Sequence, residues 1–209
     1  MLGSVRTRRI HARVEMNGER GTLVMEQKRP SKIRTAITIG DDISVRGYDG
    51  VIAWQVDPDG SGARLTPDAT GNVARESDFD GALAHYRDEG SRAEYAGRLK
   101  FQGRDVFKLK LRRKDGNMSY YYLDPETGLE TALEFGRDIG GREVRFLSVF
   151  RNYRTVGGLK FAFLIDSRSE ESDERMTLEI ESVELNPEID DSRFSLSGNR
   201  RGGEIARAR

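Results

Sequence analysis

The chain has 209 residues, and its 35 Lys plus Arg are balanced by 35 Asp plus Glu, so the formal net charge at pH 7 is zero. A balanced chain has no overall field that would attract it to nucleic acid or to an anionic membrane, so any partner must be chosen by a local surface. The sequence contains no cysteine, which excludes disulfides and thiolate metal sites.

The hydrophobic fraction of 36% is low and the charged fraction of 33% is high for a chain of this length. This balance is typical of a thin shell, and equally of a single sheet with one wet face and no cavity. The length fits one domain, which we place at residues 1–196. The Gly- and Arg-rich segment 197–209 is predicted to be a disordered tail.

No apolar run reaches the roughly 18 residues that a membrane-spanning helix needs, so we expect no transmembrane segment. The N-terminal residues MLGSVRTRRIHARV have no apolar signal core. The chain is therefore expected either to be cytoplasmic or to have a targeting segment outside this sequence.

Apolar residues recur with period two from Val5 to about Val56, which predicts strands that each bury one face. The dipeptide Asn17-Gly18 favours a tight hairpin turn, because both residues tolerate positive φ. Further turn residues, Gly40-Asp41-Asp42 and Tyr48-Asp49-Gly50, separate the next short strands. The first quarter of the chain is therefore predicted to form an antiparallel meander.

The stretch 57–72 is rich in proline and glycine and is predicted to be an exposed, mobile loop. The period then changes over residues 76–88, where Phe79, Leu83 and Tyr86 recur at helical spacing. Ser77 or Asp78 is placed to cap the N-terminus of this helix, and Gly90 to end it.

The strand pattern resumes after residue 93 and continues to residue 185. The predicted strands cover 94–101, 106–112, 118–123, 130–135, 143–152, 159–167 and 177–185. About a dozen strands are too many for a small flat sheet. We therefore predict a mainly β fold, with one strongly curved antiparallel sheet (an incomplete β-barrel) and a short helix covering its concave face.

Residues for the commonest catalytic routes are scarce. The two histidines are His11, on the polar side of the first predicted strand, and His85, on the predicted helix. No nucleophile elbow, phosphate-binding loop or zinc-protease motif occurs. The acidic pairs Asp41-Asp42 and Asp190-Asp191 lie in turn-forming sequence, where Asp caps the backbone. We expect no enzyme activity, no cofactor and no metal site.

The basic stretch Lys108 to Lys114 lies near Tyr120, Tyr121 and Tyr122, a combination that also occurs in nucleic-acid-binding sheets. Strand alternation places Tyr121 on the opposite face from the other two tyrosines. Acidic residues occur in similar number along the sheet, so no nucleic-acid partner is expected.

Apolar and aromatic residues on the strands and on the predicted helix are candidates for lining a cavity large enough for acyl chains. They could equally pack together as core, and the residues alone favour that interpretation. The candidate ligand-binding residues are Ile37, Ile52, Trp54, Phe79, Leu83, Tyr86, Phe146 and Phe150.

Several stretches, in order, resemble the family of outer-membrane lipoprotein-sorting proteins with the lipoprotein-carrier (LolA/LolB-like) fold. The likeness runs from about residue 5 to residue 196. The stretches are Met16-Asn17-Gly18, Gln27-Lys28-Arg29-Pro30, Gly47-Tyr48-Asp49-Gly50, Ala53-Trp54, Asp57-Pro58, Tyr120-Tyr121-Tyr122-Leu123-Asp124, Glu126-Thr127-Gly128-Leu129, Tyr153, Val156, Gly158, Phe161-Ala162-Phe163, Val183-Glu184-Leu185-Asn186-Pro187, Ile189-Asp190-Asp191 and Phe194.

The resemblance implies a half β-barrel with a hydrophobic cavity that shields the acyl chains of lipoproteins or lipids in the periplasm, without catalysis or cofactor. It also implies an inner-membrane export complex and an outer-membrane acceptor as partners in lipoprotein transport and outer-membrane biogenesis. The alternative is a non-catalytic envelope protein-binding or sensor module on the same fold. A hydrolase of lipid or glycan would need a buried pair of carboxylates in the cavity.

Overall fold

A computed structural model describes residues 2–199 and contains 13 strands and two short α-helices within that range. Short 3₁₀ helices lie at Leu2–Ser4 and Asp191–Phe194. The strands are β1 Thr7–Met16, β2 Glu19–Lys28, β3 Lys32–Ile39, β4 Asp42–Tyr48, β5 Ala53–Val56, β6 Gly62–Arg64, β7 Arg92–Phe101, β8 Arg104–Arg112, β9 Met118–Leu123, β10 Glu130–Ile139, β11 Arg142–Val156, β12 Leu159–Ser169 and β13 Arg175–Leu185; the helices are α1 Pro67–Glu76 and α2 Leu196–Asn199.

All the strands belong to one sheet, in the order β6-β5-β4-β3-β2-β1-β13-β12-β11-β10-β9-β8-β7. Within the described residues, the sheet begins at β6 and ends at β7, so it is open and does not close into a barrel. The predicted mainly β fold with an unclosed antiparallel sheet is confirmed.

The hairpin turns form where the turn residues predict them. Asn17 and Gly18 both have positive φ, at 51° and 90°, as a two-residue turn between twisted strands requires. Gly40 at the next turn also has positive φ. These local signals explain why the predicted strands agree with the observed ones to within a few residues.

The predicted position of the helix is wrong. We expected it over residues 76–88, but Glu76 is the last residue of α1 and residues 77–88 form turns and bends. Gly81 lies in the left-handed region with φ 83°, which a regular helix does not accommodate. His85 is therefore in a turn segment, not on a helix.

The prediction of an unstructured loop over 57–72 is also wrong, because strand β6 and the start of helix α1 lie there. Thr66 is the N-cap of α1, its side chain accepts a hydrogen bond from Ala69 N, and Pro67 occupies the first turn. These are standard helix-start signals. The serine predicted to begin a helix, Ser77, is instead the C-cap residue of α1.

The chain divides into two compact units. The first unit comprises Met1–Val14, Glu19–Phe79 and Glu181–Arg209, and the second comprises Glu15–Gly18 and Asp80–Ile180. A single domain over 1–196 stays a prediction. Of the tail predicted to be disordered, residues 197–199 belong to helix α2, and 200–209 lie outside the described residues.

The sheet of the first unit has a cover on each face. Helix α1 contacts β4 and β5, while the C-terminal segment, here defined as Asp190–Asn199, contacts β3, β5 and β6 through its two helical turns. In the second unit, Val106, Tyr122, Ala132, Leu147 and Val149 form a buried cluster on one face of strands β8 to β11. The register of these strands brings the residues together.

Candidate functional site

One face of the first unit's sheet is apolar and lies under helix α1. Ile33, Ala53 and Val73 form its buried centre, with Val73 contributed by the helix. Met25, Tyr48 and Leu65 are partly buried around this centre. We call this surface the helix-covered face. Because only part of it is fully buried, it is one surface of this unit on which an apolar ligand could lie.

Polar contacts fix the C-terminal end of α1 to the sheet. Arg46 Nη2 lies 2.7 Å from Glu76 Oε2, and Gln27 Nε2 donates a hydrogen bond to the Glu76 carbonyl oxygen at 3.0 Å. Gln27 is almost completely buried, and its Oε1 accepts a hydrogen bond from Arg8 Nε. A buried amide must be hydrogen-bonded to avoid a desolvation penalty, so these bonds define one position for the helix end.

Ile37 belongs to the helix-covered face. It alternates with Ile33 on β3 and pairs with Leu23 on β2 and Ser44 on β4, which places all of them on one side of the sheet. Its side chain is only half-buried. Ile37 therefore lies where the sequence analysis predicted an accessible apolar surface.

Phe79 lies just after α1 and is 6% exposed. The guanidinium groups of Arg8 and Arg29 lie 4.8 Å and 4.5 Å from its ring centroid, within the range of cation–π interactions. Phe79 is thus held in place by its neighbours.

Ile52, another predicted site residue, is half-buried in the turn before β5, where its N–H donates to Asp49 Oδ1 at 2.7 Å.

Trp54 lies on the opposite face from Ile37. Trp54 pairs with Gly47 across β4 and β5, and it clusters with Ala36, Val45 and Val56 rather than with the residues under α1. Its indole is fully buried, and Nε1 donates to the Phe194 carbonyl oxygen at 2.6 Å. The structure therefore does not bring Trp54 and Ile37 together on one cavity wall.

The face that carries Trp54 also holds a buried carboxylate that the sequence analysis missed. The Glu26 side chain is 1% exposed and lies 3.4 Å from Arg34 Nη1, 3.1 Å from Arg9 Nε and 2.7 Å from Arg193 Nη2. Burial and the charge of Arg193 lower the pKa of Arg34. The sequence signal for this cluster is Glu26, a charged residue beside the apolar residues of β2. Its arginine partners lie far apart in sequence, so the sequence does not identify them.

The remaining predicted site residues lie in the second unit. Leu83 and Tyr86 are half-buried in the turns of 80–90, and Arg87 lies over the Tyr86 ring. Phe146 and Phe150 alternate on β11 with the buried residues Leu147 and Val149, so they lie on the face opposite to that cluster. The role of these four residues in ligand binding stays a prediction.

A groove of about 420 Å³ in the second unit contains none of the predicted site residues. Its lining residues are Glu89, Ser91, Arg113, Lys114 and Asp115. Charged and polar side chains of this kind do not suit an acyl chain. The groove is therefore not a candidate for the apolar ligand site.

Burial raises the pKa of the Glu130 carboxyl in the second unit. The Tyr153 hydroxyl donates to the Glu130 carbonyl oxygen at 2.8 Å, and burial together with the charge of Glu130 raises the pKa of Tyr153. Glycoside hydrolysis uses two carboxyl groups about 5 to 10 Å apart. Among the described residues, the group shown to interact with Glu130 is the Tyr153 phenol rather than a second carboxyl group.

Comparison with solved structures identifies the class of fold. The chain is similar to a DUF1329 family protein from Desulfovibrio piger, with a TM-score of 0.67 and 11% identity over 95% of this chain and 93% of that chain. It is similar to an outer-membrane lipoprotein-sorting protein domain from Vibrio parahaemolyticus, with a TM-score of 0.65 and 13% identity over 94% and 92% of the two chains.

A LolA superfamily protein from Nitrosomonas europaea is also similar, with a TM-score of 0.63 and 16% identity over 91% of this chain and 90% of that chain. The fold is therefore of the LolA-like type that the sequence resemblance predicts. Comparisons with protein-family models and with curated proteins found no match. In the part of the chain that the structure describes, no helix is long and apolar enough to cross a membrane.

Proposed function

We propose that this protein is a non-catalytic periplasmic carrier or binding protein that shields the acyl chains of lipoproteins or lipids. The observation that carries the proposal is the similarity in fold to an outer-membrane lipoprotein-sorting protein domain and to a LolA superfamily protein over at least 90% of each chain. An inner-membrane donor and an outer-membrane acceptor are the partners that such transport requires.

The helix-covered face supports this proposal as the acyl-chain site of the first unit. It combines a buried apolar centre with the half-buried residues Met25 and Ile37. Removing an acyl chain from water stabilises the complex by about 0.8 kcal/mol for each buried methylene. A face that buries only part of an acyl chain can therefore bind the acyl chain appreciably and still release it.

Trp54 does not line the proposed acyl-chain site, because it is fully buried on the other face of the sheet. Phe79 contributes as a fixed wall, since two arginines hold its ring. The apolar residues of the second unit, Phe146 and Phe150, are further candidates for acyl contact. The proposal therefore rests first on Ile37 and its neighbours under α1.

The test is secretion of the protein into a Gram-negative periplasm, purification without detergent, and native mass spectrometry with lipid analysis. The wild-type protein is expected to retain lipid or an acylated peptide. Ile37→Glu introduces a charge on the helix-covered face and is expected to reduce the retained lipid at least about fivefold, because burying an unpaired carboxylate is strongly unfavourable.

The matched control is Thr38→Glu, which introduces the same charge one residue away on the opposite face of β3. This variant is expected to retain as much lipid as the wild type. A wild-type protein that carries no lipid would overturn the proposal. A stoichiometric envelope protein retained equally by Ile37→Glu would instead favour the protein-binding or sensor alternative.

A further inference from the structure

The hairpin of β7 and β8 is strongly basic within a chain that is neutral overall. Between residues 92 and 112 there are seven Lys and Arg but only two Asp and Glu. The hairpin lies at the edge of the sheet, since β7 is the last strand in the strand order. A local surface of this kind is what a neutral chain would need to attract an anionic partner.

The strand register places several of these cations on one face. Arg92 pairs with Arg112, which pairs in turn with Met118 on β9. In the next row, Lys110 pairs with Glu94 on β7 and with Tyr120 on β9. We call the surface formed by Arg92, Lys110, Arg112, Met118 and Tyr120 the basic face.

The cations of the basic face are not neutralised by neighbouring carboxylates. Arg98 and Lys100, elsewhere in the hairpin, share Asp105, and Lys108 lies 3.6 Å from Glu134. Arg92, Lys110 and Arg112 form no ion pair among the described residues 2–199. Glu94 and, on β10 opposite Tyr120, Glu134 are acidic residues on this side of the sheet. Glu134 lies beside Lys108, and the three cations of the basic face outnumber the two carboxylates.

Apolar groups accompany the charges. The Met118 side chain is 47% exposed, and Tyr120 is half-buried beside it. Cations attract anionic lipid headgroups, and an exposed methionine side chain can enter the boundary between headgroups and acyl chains. The combination matches the chemistry of a membrane interface rather than that of a purely ionic partner.

We propose that the basic face is an interaction surface for membranes that contain anionic phospholipids. This interaction goes beyond the carriage of acyl chains, because it uses residues outside the helix-covered face and does not need a bound cargo. Its consequence would be to bring the protein to an anionic membrane surface, where lipid could be collected or delivered.

Single-stranded nucleic acid is the competing anionic partner, and the geometry disfavours it. Such binding uses open aromatic faces on which bases stack. The Lys108 ammonium lies 4.3 Å from the Tyr120 ring centroid, and Phe101 stacks on Tyr122 at 4.8 Å. The Tyr120 ring of the basic face and the ring of its buried neighbour Tyr122 therefore already have a group against them.

The experiment is co-sedimentation of the full chain with phosphatidylcholine vesicles containing 30 mol% phosphatidylglycerol, compared with pure phosphatidylcholine. The wild type is expected to bind the anionic vesicles at least about tenfold more strongly, and 0.5 M NaCl is expected to abolish the difference, because salt screens exposed charges. Arg92→Glu with Arg112→Glu is expected to lose at least about tenfold in binding.

The matched control is Arg64→Glu with Lys160→Glu, which changes the net charge equally at exposed positions outside the basic face. Its binding is expected to stay within about twofold of the wild type. Circular dichroism checks that the charge-reversal variant is folded. If it is not, the milder pair Arg92→Gln with Arg112→Gln is used in its place. Equal binding by the wild type and the basic-face variant would overturn the proposal, as would tighter binding to poly(dT) than to vesicles. Neither result depends on whether the purified protein contains lipid.

Discussion

Gly47 and Trp54 are cross-strand partners, and the indole ring lies directly against the glycine. A methyl group at Gly47 would lie 2.4 Å from Trp54 Cζ2 and 3.0 Å from the Ile33 carbonyl oxygen. The buried indole cannot move away, because its Nε1–H donates a hydrogen bond to the Phe194 carbonyl oxygen. The absence of a side chain at Gly47 is therefore what allows Trp54 to occupy this position.

We predict that Gly47→Ala lowers the free energy of unfolding by about 3 kcal/mol, because it overpacks a site whose neighbours cannot yield. Denaturant unfolding followed by circular dichroism measures the change. Gly136→Ala is the control, since the three atoms nearest to its methyl group all belong to the flexible side chain of Glu143, which can turn aside. A Gly47→Ala protein as stable as the control would contradict the observed packing.

We predict that Glu26→Ala lowers the free energy of unfolding by about 3 to 5 kcal/mol, because it leaves the buried Arg34 guanidinium without its carboxylate. The exposed carboxylate Glu188 provides the control, and Glu188→Ala is expected to change stability by less than about 0.5 kcal/mol.

The double variant Glu26→Leu with Arg34→Leu separates pairing from packing. It removes both buried charges, so it is expected to be more stable than Glu26→Ala. If Glu26→Ala unfolds at the same denaturant concentration as the wild type, the cluster of Glu26 with its arginines does not stabilise the fold.

A pH-dependent contribution is expected from Asp191 in the C-terminal segment. Hydrogen bonds from Lys28 and Lys32, whose Nζ atoms lie 2.8 Å and 2.9 Å from the carboxylate, lower the pKa of Asp191 below its ordinary value of 3.8. A lowered pKa in the folded state means that the stabilisation is present above the unfolded-state pKa and is lost as pH falls through the folded-state pKa.

The measurement is the difference in free energy of unfolding between the wild type and Asp191→Asn at a series of pH values. The wild type is expected to be the more stable protein at pH 7. The difference is expected to shrink once the pH falls below 3.8 and to disappear below the folded-state pKa of Asp191. A difference that stays constant down to the lowest pH would show that the carboxylate charge does not provide the stabilisation.

The ion pair between Arg46 and Glu76 holds the C-terminal end of α1 against the sheet. Arg46→Ala is expected to cost only about 0.5 to 1 kcal/mol of stability, because both side chains are partly exposed. If the proposed carrier function holds, the freed helix end should speed exchange of a fluorescent fatty acid with vesicles. Stopped-flow transfer assays compare the exchange rate of Arg46→Ala with that of Arg64→Ala, a control at an exposed position. Slower exchange would contradict the proposed role of α1 as a cover.

The position of the helix shows how sequence signals can compete. Phe79, Leu83 and Tyr86 have helical spacing, but Gly81 takes a left-handed conformation between them. The Thr66-Pro67 start signal instead begins α1 within a stretch whose glycines and prolines suggested a loop. A short helix depends on its packing more than on its propensity, so the buried contact of Val73 decided its place.

The sequence by itself determined the strands other than β6, the turns between them and the class of fold. Period-two alternation and positive-φ turn residues such as Asn17 and Gly18 act locally, so they can be interpreted without knowing the rest of the chain. Alternation also predicts correctly that neighbouring residues lie on opposite faces. It does not predict which face is covered, or which segment of the chain covers it.

The tertiary structure decided the site. Register placed Ile37 on the side of the sheet that carries α1 and Trp54 on the side covered by the C-terminal segment, although both residues fit the same alternating pattern. The Glu26 cluster likewise joins arginines at positions 9, 34 and 193. Contacts between residues so distant in sequence depend on how the whole sheet is assembled, and no local pattern contains that information.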